Sequence, residues 1–462
     1  MKTLILLLII VALGALFYRR SKAQDTHESL QGLLRERVQS MGRQTGLIVA
    51  TVDGTGPHFY CEGLDGNTPA RPVDPDTLFE IGSVTKVFTA LLLADMVEQN
   101  EVRLEDPVSK YLPPSVKIPS RNGRQITLLD LATHTSGLPR MPINFAPKDA
   151  ANPYADYSVA QLYEFLSGYA LPRDIGAEYE YSNLGMGLLG HALALRAGTN
   201  YETLVLNRIC RPLGMTVTAI TLSSEQKARL ATGYDEAGQV ASHWDIPTLA
   251  GAGALRSSAR DLVKFMQASL QLTETPLSSA FEMTQQPRHN TSSPDLEIGL
   301  AWHIFKRYGT NIVWHNGGTG GFHSFVGLDL KRKKGVVVLA NSSRSVDDLG
   351  FHILTPAYPL SRVQPLKDRV AIVLPPATLD RYLGRYQLAP GIFFTLRRDG
   401  AHLMAQLTGQ SYFEIFPESE TEFFYKVVNA QLSFVTNADG AVTGLVLHQN
   451  GIDQSATKTK TN

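Results

Sequence analysis

Gly82-Ser83-Val84-Thr85-Lys86-Val87-Phe88-Thr89-Ala90-Leu91-Leu92-Leu93-Ala94-Asp95-Met96-Val97-Glu98 is the stretch on which the reading of this chain turns. From Val84 onward it is apolar on almost every helical face, the pattern of a helix buried inside a domain rather than lying on its surface. Its first residues are Ser-x-x-Lys, which puts Ser83 and Lys86 three apart and so on one face of the helix start. Burial and the positive end of the helix dipole both disfavour an ammonium there, lowering the lysine pKa. A lysine in that state can take the proton of a serine nucleophile. The pattern is short, and it recurs at Ser224/Lys227 and Ser455/Lys458. Ser224 sits among Glu225, Gln226, Lys227 and Arg229, a solvated helix, and Ser455 lies in a polar tail, so context selects Ser83. The competing reading of Ser83 is a helix N-cap beside an unrelated lysine.

Two further clusters bear on that choice. Tyr181-Ser182-Asn183 lies in a glycine-flanked turn before a helix expected from Leu184, and Tyr181 alone among 17 tyrosines has Asn two residues on. A tyrosine beside a lysine is expected at or near the phenolate, able to act as base and then acid, with Asn183 orienting the lysine and binding a substrate carbonyl. The plainer alternative is a turn asparagine after a packed tyrosine. His315-Asn316-Gly317-Gly318 follows the strand Ile312 to Trp314. Glycines on a strand let a substrate backbone approach closely, and an amide N–H there can join that of Ser83 in an oxyanion hole. The alternative is a turn or bulge; without a following Gly-Lys-Ser/Thr it is a poor phosphate cradle.

Around these clusters, strands are expected near residues 45–80, helices at 158–169, 184–197 and 259–270, and strands again at 299–303, 312–315, 323–328 and 335–341. Strands at both ends suggest one sheet built from both, with a helical region between. After a proline-marked connection, six short β runs between 392 and 448, separated by turn signals such as Asp399-Gly400 and Asp439-Gly440, suggest a small antiparallel barrel. At 462 residues the chain is long enough for two or three units. The expected boundaries are 1–23, a signal peptide or anchor; 24–360, a hydrolase domain; 361–376, a linker; 377–454, a β domain; and 455–462, a disordered tail.

The first segment has Lys2, an apolar run from Leu4 to Leu16 and Arg19-Arg20. That run is short for a membrane span, which needs about 20 residues, and fits a secretory leader or an uncleaved tether. Either sends the remainder out of the cytoplasm, to the periplasm or beyond. Lys plus Arg equals Asp plus Glu at 43 each, without long runs, so no nucleic-acid footprint is present. Cys61 and Cys210 carry no redox or nucleophile motif. No His-Glu-x-x-His run supports zinc hydrolysis, and no Gly-x-Ser-x-Gly elbow is present. His134 reads as structural, and no metal or cofactor is expected.

The order Ser83-x-x-Lys86, Tyr181-x-Asn183, His315-x-Gly317 resembles the class C β-lactamase and penicillin-recognising DD-peptidase family, with its esterase and D-aminopeptidase relatives, over roughly residues 30 to 345. Leu131-Ala132-Thr133-His134-Thr135-Ser136-Gly137-Leu138, Pro212-Leu213-Gly214-Met215 and Ser257-Ser258-Ala259-Arg260-Asp261-Leu262 are similar to its flanking runs. The resemblance implies an α/β fold in which an antiparallel sheet faces an all-helical half. It implies acylation of Ser83 by a small-molecule or peptide substrate, proton transfer by Lys86 and Tyr181, and positioning by Asn183. His315, Asn316 and Gly317 would form a substrate-binding strand edge, and the N–H groups of Ser83 and Gly318 the oxyanion hole. Tyr382-Leu383-Gly384-Arg385-Tyr386 is similar to the start of a lipocalin-like C-terminal module. His315 stands where class C β-lactamases have lysine, which leaves carboxylesterase, D-aminopeptidase and a non-catalytic penicillin sensor as alternatives to β-lactam or D-Ala-type peptide hydrolysis.

Overall fold

The computed structural model describes residues 29–361 and 371–459, apart from 390, 409–411, 426–429 and 450–451. The expected leader or anchor lies outside the described residues, among which no helix is long and apolar enough to cross a membrane.

The first helix, α1 (29–41), leads into the hairpin β1 (Gly46–Asp53) and β2 (Gly56–Gly63). Six further strands of the same sheet come much later in the chain: β3 (His289–Asn290), β4 (Leu296–Ile298), β5 (His303–Arg307), β6 (Thr310–Gly318), β7 (His323–Asp329) and β8 (Lys334–Ala340). The sheet order is β2-β1-β8-β7-β6-β5-β4-β3, and β1 pairs antiparallel with β8, Leu47 opposite Ala340. One sheet is thus built from both ends of this domain. β8 is buried from Gly335 to Ala340, because both its faces are covered: one by α1 and α5 (Asp347–Leu354), the other by the helical half. The strand expected at 299–303 is instead a turn between β4 and β5, closed by Gly299 N–H on the Trp302 carbonyl at 2.7 Å, with Ala301 at φ 60°. A run of apolar residues there marks burial rather than extension.

The helical half is centred on α2 (Thr85–Glu98), buried from Thr85 to Met96 and packed against α3 (Asn183–Arg196) and α4 (Ala259–Ser269). At roughly 1.5–3 kcal/mol for each buried Leu, Val or Phe side chain, this helix is held by its surroundings rather than by its own propensity.

Beyond residue 371 lies a closed barrel of eight antiparallel strands, β9 (Gly384–Ala389), β10 (Ile392–Asp399), β11 (His402–Leu407), β12 (Phe413–Pro417), β13 (Glu422–Tyr425), β14 (Ala430–Thr436), β15 (Val442–Gln449) and β16 (Ile452–Lys458). The two strands not anticipated, β9 and β16, pair with each other through Tyr386 and Lys458 and close it. The expectation of a disordered tail from 455 is therefore corrected as far as Lys458. β16 buries only Ala456 among residues 453–458, so its sequence carries no apolar alternation. The interior is filled by Tyr382, Tyr386, Phe394, Leu403, Phe423, Leu432 and Phe434 among others.

Candidate active site

The site begins with a turn. Gly82, Ser83 and Val84 form one 3-10 turn ahead of α2, and neither that turn nor α2 has a side-chain cap. Ser83 is therefore not spent as an N-cap, and its hydroxyl is left for other partners. Gly82 is at φ 47°, and a Cβ there would stand 2.8 Å from both the N and the O of Gly318. A Cβ on Gly317 would stand 2.0 Å from the Ile81 carbonyl and 2.9 Å from the Ser83 amide nitrogen. Only glycines at these positions let β6 lie directly against the nucleophile turn, making the amides of Ser83 and Gly318 neighbours. Ser324 on β7 locks the arrangement by donating to the Ile81 carbonyl at 2.8 Å.

Lys86 is fully buried, and its Nζ lies 2.8 Å from Ser83 Oγ, 2.8 Å from Asn183 Oδ1 and 2.7 Å from the Ala252 carbonyl. Burial, with the Arg140 cation adding to it, holds Lys86 well below the usual lysine range. A neutral amine has two N–H bonds and one lone pair. The two carbonyl oxygens can only accept, so they take the N–H bonds, and the lone pair is left facing the Ser83 hydroxyl.

Asn183 opens α3, whose cap is Ser182 bonded to Gly185 N–H at 2.8 Å. Its side-chain amide donates to Tyr154 Oη at 3.2 Å while its oxygen takes Lys86, so both ends are committed. Tyr181 shares a hydrogen bond with Ser83, and its ring lies 4.8 Å from Lys86 Nζ. Burial pushes its phenol up, outweighing the opposing effects of Ser83 and Arg140. The resting side chain is thus a neutral phenol, not the phenolate anticipated. A neighbouring lysine stabilises phenolate only if it is charged, and the same burial disfavours the charged form of this one.

Three histidine rings surround Tyr181: His134 at 4.7 Å, His315 at 6.2 Å and His303 at 6.4 Å between centroids. His134 is structural, accepting the Ser182 N–H at Nδ1 over 3.0 Å and so fixing the turn that carries Tyr181. His315 is wholly buried, with Nδ1 donating to the Asn316 carbonyl at 2.5 Å. Burial, reinforced by His303 and Lys86, holds it well below the usual imidazole range. His315 does not reach the cleft; Asn316, Gly317 and Gly318 line it. Asn316 is held by Asp347, which accepts from its Nδ2 at 2.6 Å and pairs with His323 Nε2 at 2.8 Å.

The cleft, of about 420 Å³, is further lined by Arg140, Met141, Tyr154, Trp244, Ile246, Gly253 and His303. None of these was singled out from the sequence. Arg140 and Met141 directly follow the Thr-His-Thr-Ser-Gly-Leu-Pro loop, the one local signal that could have pointed to them. Burial brings His303 down to about 4, helped by Lys86, and its Nε2 meets Tyr179 Oη at 2.9 Å. No group of three or more candidate metal ligands occurs among the described residues.

Against known proteins, residues 30–353 match the family described as Beta-lactamase, and residues 368–461 match one described as Domain of unknown function (DUF3471). Penicillin-binding protein 4* of Bacillus subtilis is 26% identical over 465 residues, covering 95% of this chain and all of that protein. The D-alanyl-D-alanine-carboxypeptidase/endopeptidase AmpH of Escherichia coli is 31% identical over 65% of this chain and 80% of its own. Among solved structures, a class C beta lactamase from Rhodobacter sphaeroides superposes with a TM-score of 0.60 at 27% identity, over 71% of this chain and 99% of that one.

Proposed function

The chain belongs to the Beta-lactamase family of serine hydrolases, and from that premise we propose that Ser83 forms an acyl-enzyme with an amide or ester of the β-lactam or D-Ala-type peptide class. The observation that carries this reading is the partner set of Lys86: two carbonyls and the Ser83 hydroxyl around an amine whose protonation burial disfavours. The Ser83 proton passes to Lys86 Nζ as Oγ attacks the substrate carbonyl. The resulting oxyanion is received by the amides of Ser83 and Gly318, donors already fixed by the packing of β6 on the nucleophile turn. Tyr181, a neutral phenol, gives its proton to the leaving nitrogen or oxygen as that bond breaks. The buried phenolate and ammonium then exist only together, 4.8 Å apart from ring to Nζ, and return of the proton from Lys86 to Tyr181 resets both. The same pair in reverse serves water in deacylation, which favours turnover over a penicillin sensor.

Asn316 and Gly317 offer the strand edge to the substrate, and His315 acts from beneath it as a neutral packing group. The apolar run Leu4 to Leu16 supports an extracytoplasmic location. For the C-terminal barrel, the filled interior supports a structural module rather than a lipocalin-like ligand container.

The direct test is labelling with a penicillin or a phosphonate followed by mass spectrometry of the peptide containing Ser83. We expect one adduct on Ser83, absent from Ser83→Ala. Labelling of the variant to the same extent would remove Ser83 from this role.

A further inference from the structure

Resting on the reading of this cleft as an acyl-transfer site, we propose that Arg140 is its anion anchor, selecting substrates that carry a carboxylate on the leaving-group side. Among the described residues lining the cleft, Arg140 is the only fixed cation and there is no Asp or Glu. Lys86 is buried behind Ser83, outside the cleft lining and with its charged form disfavoured, and His303 and His315 are held neutral by burial. The position where the family resemblance leads one to expect a lysine contributes no charge at all.

Arg140 also lacks the carboxylate partner that several other arginines of its domain have. Arg37, Arg208, Arg256 and Arg260 each meet a carboxylate at 2.7–3.3 Å. The Arg140 side chain is exposed and meets none among the described residues; its backbone carbonyl, by contrast, is committed, accepting the N–H groups of Asn183 and Leu184 at 3.0 and 3.2 Å. The loop is thus pinned by its main chain while the guanidinium is left over the cleft, with Cζ 5.0 Å from the centroid of the Tyr181 ring. Tyr181 serves the leaving atom in the proposed reaction, so an anion reached by Arg140 belongs to the leaving group. A guanidinium offers a carboxylate two parallel N–H bonds, stronger and more directional than one ammonium contact. Met141, Tyr154, Trp244 and Ile246 form the apolar remainder of the cleft, suited to the uncharged part of such a substrate.

Arg140 also acts electrostatically on Lys86 and Tyr181, and that effect falls equally on every substrate. Anchoring does not, so the test is a ratio. The full chain is assayed on an N-acyl depsipeptide with a free terminal carboxylate and on the same compound capped as the carboxamide. We expect kcat/KM to favour the free acid by about tenfold or more. Arg140→Ala should cut that preference by about tenfold or more, and Arg140→Lys should restore part of it. The preference of the parent chain should also weaken as salt rises, since the guanidinium is exposed. Both rates come from one preparation, so partial misfolding cancels. A ratio in Arg140→Ala within twofold of the parent, or a parent ratio near one, overturns the proposal. Failure of the parent to turn over either compound, with no phosphonate adduct on Ser83, overturns the acyl-transfer reading and this inference with it.

Discussion

The floor of the cleft and the interior of the C-terminal barrel are both buried, yet they are built by opposite rules. Under the cleft, Lys86, His134, His303 and His315 are buried together beside the half-buried Tyr181, and His134 Nε2, His303 Nδ1 and His315 Nε2 have no hydrogen-bond partner among the described residues. In the barrel, the buried tyrosines are satisfied by main chain, Tyr386 Oη donating to the Tyr382 carbonyl at 2.7 Å and Tyr382 Oη to the Glu420 carbonyl. Tyrosine apart, the buried polar and charged side chains among the described residues all lie at or before Thr355. An unpaired buried polar group costs about 1–3 kcal/mol. The cleft carries several, which is the pattern of a site that gives up stability for preset proton affinities. Among the described residues, the barrel interior carries no unpaired buried side-chain group of this kind.

The strongest way to break this contrast is to make the cleft floor resemble the barrel. Lys86→Met keeps the length of the side chain and removes its lone pair and charge. We expect Ser83 acylation to fall by about 10³-fold or more, while thermal denaturation shows a Tm equal to or above that of the parent, because a buried ionisable group has become apolar. A large loss of Tm would mean that the Lys86 hydrogen bonds to Asn183 and Ala252 hold the fold.

Phe434→Ala applies the opposite perturbation. Phe434 packs against Tyr382 at 4.3 Å and Phe423 at 5.2 Å between ring centroids. Its truncation should cost the barrel about 3–5 kcal/mol, seen as a lower denaturant midpoint in near-UV circular dichroism. Ser83 labelling in native buffer should change far less than the barrel midpoint does. Parallel loss of both would show that the two interiors unfold as one.

The smallest effect concerns pH. Burial raises the Glu236 carboxyl to about 7, with Arg344 and His323 opposing. The folded chain then keeps a proton that the unfolded chain loses, so this contribution to stability is complete below the unfolded pKa and disappears as pH rises through about 7. Glu236→Gln should remove that decline, which is worth at most about 3 kcal/mol, and flatten Tm between pH 5 and 8. An unchanged slope would assign the pH dependence elsewhere.

Much of the site was legible because helical geometry is local. Ser83 and Lys86 share a face whatever surrounds them, and the apolar residues around them announce burial. Tyr181 and Asn183 could be placed together in a turn for the same reason. The sheet joining both ends of the domain followed from strand patterns, whereas the 299–302 turn was mistaken for a strand because burial makes turn and strand equally apolar. β16 was missed for the converse reason, being a strand with almost nothing to bury.

Ser83, Lys86, Tyr181, Asn183 and the glycines of β6 were determined as candidates by the sequence alone, since spacing within a helix or turn survives without knowledge of the rest. Tertiary structure alone decided the states of these groups. Whether Lys86 is charged, whether Tyr181 rests as a phenol, and that His315 turns inward while Arg140 stands over the cleft depend on solvent exclusion and on charges brought in from distant parts of the chain. Desolvation and Coulomb interactions act through space, and no local pattern of residues records which distant segment fills that space.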